Sequence, residues 1–290
     1  MLGAMSPRIS VIIPVHNESA ILARCVNSLA ADARSGEVEV LFVCNGCTDD
    51  SERVLKELAP WARVLVSPDR GKPQALNYAD AHARGAERHY IDADVSISPG
   101  AITEVSAQMA TRGLLAASPR IDIDVRGASW SVRNYMSTWQ QSPYFTKGLL
   151  GAGYYAISAK GRARFGTFPL IKADDHFVYS LFQAHERGIV ESARFSPLWP
   201  QNFADLWRVE VRHFSARVEF EEALRRGQLS ANAEHVKPQR AWLLDQLRTP
   251  NKWASVAEYV AVKALTGVAG RLNHRFGDRK AWARDESSRK

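Results

Sequence analysis

At 290 residues, 46% of them hydrophobic, the chain suits one large domain or one domain with a substantial extension. Its formal net charge of +7 is concentrated in the last third, where residues 205–290 carry 17 Lys/Arg against 11 Asp/Glu, which argues against a nucleic-acid-binding core and for a basic tail with its own role. Three cysteines (Cys25, Cys44, Cys47) make no disulfide framework, and neither a secretory leader nor an apolar run of about 18 residues occurs, so a reducing, cytoplasmic setting without a spanning helix is expected.

Ile9-Ser10-Val11-Ile12-Ile13-Pro14 is an apolar run stopped by proline, the pattern of a buried parallel strand. Ile21, Leu22, Cys25, Val26 and Leu29 recur at helical spacing within 19–31. Val38–Val43 reads as a second strand and Asn45-Gly46 as a turn, and Thr48, Asp49, Asp50 and Ser51 supply capping side chains to a helix over 51–58. Arg63–Val66 is a third strand, Gly71-Lys72-Pro73 opens a helix over 74–84, and His89–Asp92 is a fourth strand. Strands alternating with helices imply an α/β fold with a mostly parallel sheet and helices on both faces.

Ligands of such sheets bind beyond the carboxyl ends of the strands. Here those ends carry Asn17 and Glu18, then Asp49 and Asp50, then Asp69, Arg70 and Lys72, then Asp92 and Asp94. Residues two apart on a strand point the same way, so Asp92 and Asp94 are expected to converge, with Ala93 between them. A Mg²⁺ carried by substrate phosphates needs only one or two such carboxylates. No Gly-x-Gly-x-x-Gly follows the first strand and no P-loop occurs, so dinucleotide and P-loop chemistry lose their main support. Cys44-Asn45-Gly46-Cys47 has redox or metal spacing, but no further Cys or close His pair completes a zinc site.

In the second half, the alternation Ile121-Asp122-Ile123-Asp124 within 114–123 predicts an edge strand, and 128–141 a helix. Gly148 to Ser158 is a glycine-rich approach to a strand, where backbone comes close to a ligand. Asp174 and Asp175 precede a helix over 176–187. A further helix over 205–224 carries Arg208, Arg212 and His213 beside an apolar face. From Trp253 an apolar helical run leads to Arg271, Arg275, Arg279, Lys280 and Arg284. A segment of this kind either lies on an anionic membrane surface or packs on the domain.

Taken in order, Val11-Ile12-Ile13-Pro14-Val15-His16-Asn17-Glu18, Asn45-Gly46-Cys47-Thr48-Asp49-Asp50-Ser51, Arg70-Gly71-Lys72-Pro73-Gln74-Ala75-Leu76-Asn77 and Asp92-Ala93-Asp94 resemble the motifs of family 2 glycosyltransferases over roughly residues 8–225. The resemblance implies a GT-A fold over 1–225 with a helical, basic extension over 226–290. It implies a nucleotide-sugar donor (UDP-, GDP- or dTDP-linked), a divalent metal (Mg²⁺ or Mn²⁺), and inverting transfer of one sugar to a glycan or lipid-linked hydroxyl acceptor. Carried over by position, Pro14, Asn17, Glu18, Asn45, Asp49, Lys72, Asn77, Asp92 and Ala93 would line the donor, with Gly151 and Gly153 beside its sugar. Asp94 would be the main metal ligand and Asp92 its companion, with His213 a third ligand or a phosphate contact. Arg208 and Arg212 would meet the diphosphate. Asp175 would be the catalytic base and Asp174 its support. Two departures stand out: Asn45 where many relatives have Asp, and Asp174 where the family usually has Glu. The Gln-x-x-Arg-Trp motif of processive relatives is missing, which favours single-sugar addition. The competing readings are a nucleotidyltransferase on a similar sheet and a catalytically silent nucleotide-sugar-binding subunit at the membrane.

Overall fold

The computed structural model describes residues 7–146, 151–230 and 241–276. Gly148 of the glycine-rich approach and the tail cations Arg279, Lys280 and Arg284 lie outside the described residues. The chain forms two compact units interleaved along the sequence. The first comprises Met1–Asp122, Leu150–Leu170 and Phe182–Pro197, and the second Ile123–Leu149, Ile171–Leu181 and Leu198–Lys290.

The first unit is built on one eight-stranded sheet. In chain order its elements are β1 (Ile9–Val15), α1 (Leu22–Ala33), β2 (Val38–Asn45), α2 (Ser51–Leu58), β3 (Arg63–Ser67), α3 (Lys72–His82), β4 (Glu87–Ile91), β5 (Val95–Ile97), α4 (Ala101–Arg112) and β6 (Ala116–Ile121). After an excursion into the second unit, β7 (Tyr154–Ile157) and β8 (Arg187–Pro197) complete the sheet, whose order is β3-β2-β1-β4-β7-β6-β8-β5. Strands β3, β2, β1 and β4 are mutually parallel, β7 runs antiparallel between β4 and β6, and β5 closes one edge antiparallel to β8. The apolar runs of β1 and β2 are buried almost throughout, as expected of strands covered on both faces. Their side chains join Leu22, Cys25, Val26 and Leu29 of α1 in one core. Gly85 lets the chain pass directly over β1: a Cβ there would lie 2.6 Å from the Ile9 carbonyl carbon and 2.7 Å from the Ser10 nitrogen.

Two expectations need correction. The stretch 114–123 was expected at a sheet edge, but β6 lies between β7 and β8, and the alternating residues beyond Ile121 are not in the strand. Asp92 and Asp94 were expected to converge by strand alternation, but β4 ends at Ile91 and the two acids sit in a turn leading to β5, with the Val95 amide donating to the Asp92 carbonyl at 3.1 Å. Turn geometry, not the two-residue strand period, sets where these carboxylates point.

The second unit is helical: α5 (Trp130–Trp139), α6 (Pro143–Thr146), α8 (Asp174–Leu181), α9 (Phe203–Arg225), α10 (Ala241–Leu247) and α11 (Trp253–Phe276); the short α7 (Ala159–Arg162) belongs to the first unit. Its core gathers Val132, Tyr135, Met136 and Trp139 of α5 with Trp199, Leu206 of α9 and Val262 of α11. An ion pair runs from its surface inward, from the half-exposed Lys263 Nζ to the buried Glu210 Oε2 at 2.6 Å. Burial works against the Glu210 charge, but Lys263 and the neighbouring His213 hold its carboxyl below the usual range. No helix among the described residues is long and apolar enough to cross a membrane.

Candidate active site

In the first unit, hydrogen bonds tie together the loops that leave β1, β2 and β4. Asn17 takes a left-handed backbone conformation, φ +53°, which Asn tolerates better than most residues. Its side-chain oxygen accepts from the amides of Thr48 (2.6 Å) and Asp49 (3.3 Å). The Glu18 amide donates to Ser51 Oγ at 2.8 Å. Asp49 answers with both oxygens, accepting from the amides of Ser19 (3.1 Å) and Ser51 (3.0 Å). Desolvation alone would raise its pKa, but these bonds outweigh it and hold the Asp49 carboxyl below its ordinary range. The Asn17, Glu18 and Asp49 positions thus form one braced rim. Pro14, in register with Val43, lies on β1 just before it.

Asn45 is buried at the centre of this rim. Its amide donates to the Val15 carbonyl at 2.9 Å, its side-chain oxygen accepts from the Gly71 amide at 3.2 Å, and its own carbonyl is hydrogen-bonded to His16 Nδ1 at 2.7 Å. A carboxylate here could not donate to Val15. That is the physical reason an amide suits a position where relatives often carry Asp. Gly71 leads straight into α3, so Asn45 also positions Lys72.

Lys72 Nζ lies 2.8 Å from Asp92 Oδ1. The turn holding Asp92 is fixed from two further sides. The Asp92 amide donates to the Gly153 carbonyl at 2.8 Å, and Gly153, at φ +99°, leaves room that a Cβ would take from Val95 Cγ2, 2.8 Å away. Arg24 of α1 spans Asp94 and β8, donating from Nη1 to the Asp94 carbonyl (2.8 Å) and from Nη2 to the Ser196 carbonyl (2.7 Å). In the sequence Arg24 looks like an ordinary solvent-facing residue of an amphipathic helix, and nothing local marked its role. Gly151 and Ala152 precede Gly153 with φ +138° and +55°, so the whole approach to β7 is left-handed. Ala93, between the two acids, is buried in the core.

Asn77 plays a different part from the one expected by position. Its side-chain amide is engaged by the backbone of one residue, donating to the Phe168 carbonyl (3.0 Å) and accepting from the Phe168 N–H (2.7 Å). Such a two-way pairing ties α3 to the segment after β7.

The cysteine pair belongs to the same rim. Cys44 is buried at the end of β2, and Cys47, half-buried, sits 3.4 Å from the Val15 carbonyl. The hydrogen bond shared with Cys44, together with backbone donors at Asn17 and Asn45, holds the Cys47 thiol below its usual pKa, whereas burial raises Cys25 to about 12. Iodoacetamide at neutral pH is therefore expected to modify Cys47 first and to leave Cys25 unmodified in the folded chain. Peptide mapping by mass spectrometry checks this, and equal labelling of the two would contradict it.

In the second unit Asp174 and Asp175 form the first turn of α8, where the helix dipole favours negative charge. Asp174 is buried; Asp175 is partly exposed, its Oδ1 accepting from the His176 amide at 2.8 Å. On α9, Arg208 folds back onto the buried Asp205, and Arg212 and His213 follow one turn later. His213 is exposed, with Arg212, Glu210, Lys263 and Asp175 near enough to act on its charge. Desolvation and the Arg212 cation push its imidazole down, opposed by Glu210. The site residues expected from sequence thus fall into two groups. Pro14, Asn17, Glu18, Asn45, Asp49, Lys72, Asn77, Asp92, Ala93, Asp94, Gly151 and Gly153 belong to the first unit, and Asp174, Asp175, Arg208, Arg212 and His213 to the second.

Among the described residues no three His, Cys, Asp or Glu side chains gather so as to hold a metal ion on their own. Two carboxylates in one turn suit instead a hard divalent cation that brings most of its oxygen ligands with it, as Mg²⁺ on a diphosphate does.

Comparison with known proteins agrees with this architecture. The Glycosyl transferase family 2 model matches residues 10–163. An uncharacterized glycosyltransferase of Nostoc sp. is 29% identical over 120 residues, 40% of this chain and 37% of that protein. Chondroitin synthase of Escherichia coli is 32% identical over 99 residues, 33% of this chain and 14% of the synthase. The chain thus spans well under half the length of these relatives. A mannosyltransferase from Pyrobaculum calidifontis, in complex with GDP-Man and Mn²⁺, superposes with a TM-score of 0.63 at 18% identity, covering 95% of this chain and 89% of that one. The fold is therefore GT-A-like, and with more than half of its length matched by the family model, the chain belongs to glycosyl transferase family 2.

Proposed function

We propose that this chain transfers one sugar from a nucleotide-sugar donor to a hydroxyl acceptor, a glycan or a lipid-linked sugar, with inversion at the anomeric carbon. The observation that carries the reading is the tied set of strand-end loops, Asn17 to Asp49, Asn45 to Gly71 and Lys72 to Asp92. They place polar groups beyond the carboxyl ends of parallel strands, where such sheets bind ligands. Family membership and the GDP-Man and Mn²⁺ in the fold neighbour support a nucleotide-linked donor and a divalent cation.

In this reading the Asn17, Glu18 and Asp49 rim receives the nucleoside, and Lys72 and the Asp92 to Asp94 turn face the diphosphate. A bound Mg²⁺ or Mn²⁺, held by Asp94 with Asp92, would offset the charge of the departing diphosphate. The left-handed backbone at Gly151 and Gly153 runs beside the donor sugar. Arg208, Arg212 and His213 contribute positive or polar groups toward phosphate oxygens. Asp175 takes the proton of the acceptor hydroxyl as it attacks C1, and Asp174 holds Asp175 in place. The leaving diphosphate needs no protonated acid, so one base suffices. The division into a catalytic part, 1–225, and a basic extension, 226–290, is kept as part of this reading.

The test is product analysis with UDP-, GDP- and dTDP-sugars, Mg²⁺ or Mn²⁺ and a panel of sugar acceptors. Release of nucleoside diphosphate with a glycosylated product of inverted configuration is expected. Pyrophosphate as product would instead assign a nucleotidyltransferase.

A further inference from the structure

Helix α11 is built inside out. The face it buries holds Ser255, Val256, Val262, Thr266, Gly267 and Gly270, mostly small or polar residues. Gly267 and Gly270 let α9 come close, since a Cβ at Gly270 would lie 2.7 Å from Phe214 Cβ. Its polar side chains also turn inward: Glu258 to Ser131 and Asn134, Lys263 to Glu210, His274 to Glu222. The opposite face carries Trp253, Val260, Leu265, Val268, Leu272 and Phe276, each between 47% and 74% exposed. Ala254, Ala257, Ala261 and Ala264 fill the gaps between them. At 100° per residue these ten positions fall on one stripe along a helix roughly 36 Å long. Leu244 and Leu247 of α10 are exposed as well.

We propose that this face lies in the interfacial layer of a membrane rich in anionic phospholipid. Three observations select that occupant. From Trp253 to Ala269 the stripe holds one charged residue, Glu258 at its margin, and that carboxylate is turned onto Ser131 and Asn134, unlike an ordinary solvated helix surface. Where charge begins it is positive: Arg271 and Arg275 are exposed on the same side, and residues 271–290 hold 7 Lys/Arg against 3 Asp/Glu. The helix has one acid, Glu258, and it faces inward. A second copy fits the face poorly. Parallel pairing would set Arg271 and Arg275 against themselves, and antiparallel pairing against the end that carries Arg248 and Lys252. Apolar area in the interface plus cations near anionic headgroups is the combination that holds a helix on, not through, a bilayer.

The proposal does not depend on glycosyl transfer, so its failure and failure of the donor reading are separate events. The experiment is sedimentation of the full chain with sucrose-loaded vesicles of phosphatidylcholine, with and without phosphatidylglycerol, at low and high salt. Binding that needs phosphatidylglycerol and weakens at high salt is expected. L265E/L272E should weaken it about tenfold or more, and R271E/R275E should remove its dependence on phosphatidylglycerol. These side chains are exposed, Arg271 also stacking over Phe214 at 5.1 Å, so both variants should melt close to the parent by circular dichroism; the arginine pair keeps the test decisive if the leucine pair does not. No binding to phosphatidylglycerol vesicles, or binding unchanged in both variants, would overturn the proposal. So would a dimer in solution that L265E/L272E makes monomeric.

Discussion

Asp175→Asn is expected to lower turnover by about 10²–10⁴-fold, the usual contribution of a positioned general base, while leaving donor affinity unchanged. The substitution is well suited to separate chemistry from folding. Asn keeps the size of Asp and an oxygen able to accept from the His176 amide, the bond that Asp175 makes at the start of α8. What it loses is basicity and one negative charge near a helix N-terminus, a stability cost of roughly 0.3–1 kcal/mol. If the acid only favoured the helix start, the variant would melt slightly lower and transfer sugar at the parental rate. The base reading predicts the same small change in melting but with turnover lost. Steady-state kinetics with donor affinity measured separately distinguishes them, because loss confined to kcat marks an interaction made in the transition state.

Asp94→Asn is expected to reduce kcat/KM by about 10²-fold or more and to raise the Mn²⁺ or Mg²⁺ concentration needed for half-maximal rate. The turn that presents Asp94 is held at its carbonyl by Arg24 and at Asp92 by Lys72 and Gly153. The backbone should therefore stay in place when the carboxylate is neutralised. Titrating metal against initial rate checks this. An unchanged metal dependence, or parental activity in the presence of a chelator, would remove Asp94 from the metal role.

The start of the chain was legible because β1 and β2 are buried on both faces and so read as unbroken apolar runs. β1 and β2 were expected within two residues of where they lie. β8 was not legible: Arg187–Pro197 mixes charged and small residues, alternates only loosely between buried and exposed, and its pairing with β6 shifts register after Pro119. β5 is three residues long, too short for any periodicity. The helix expected over 176–187 ends at Leu181, because the chain must turn into β8. Within the site, sequence position located the acids but not what holds them. Arg24 reaches two backbone carbonyls far away in sequence, Asn45 joins three loops, and Asn77 closes onto Phe168. Long-range hydrogen bonds to backbone leave no local pattern in a sequence.

The most direct test of the account is a thermal-denaturation titration of the chain with UDP-, GDP- and dTDP-sugars, each with and without Mn²⁺. A ligand that binds only the folded state stabilises it by mass action, about 2.7 kcal/mol at a hundred times its Kd. One nucleotide class should raise the melting temperature only when Mn²⁺ is present, and that gain should vanish in Asp94→Asn. No metal-dependent shift with any of the donors would contradict the assignment of the Asp92 to Asp94 turn as the seat of a metal-linked nucleotide sugar.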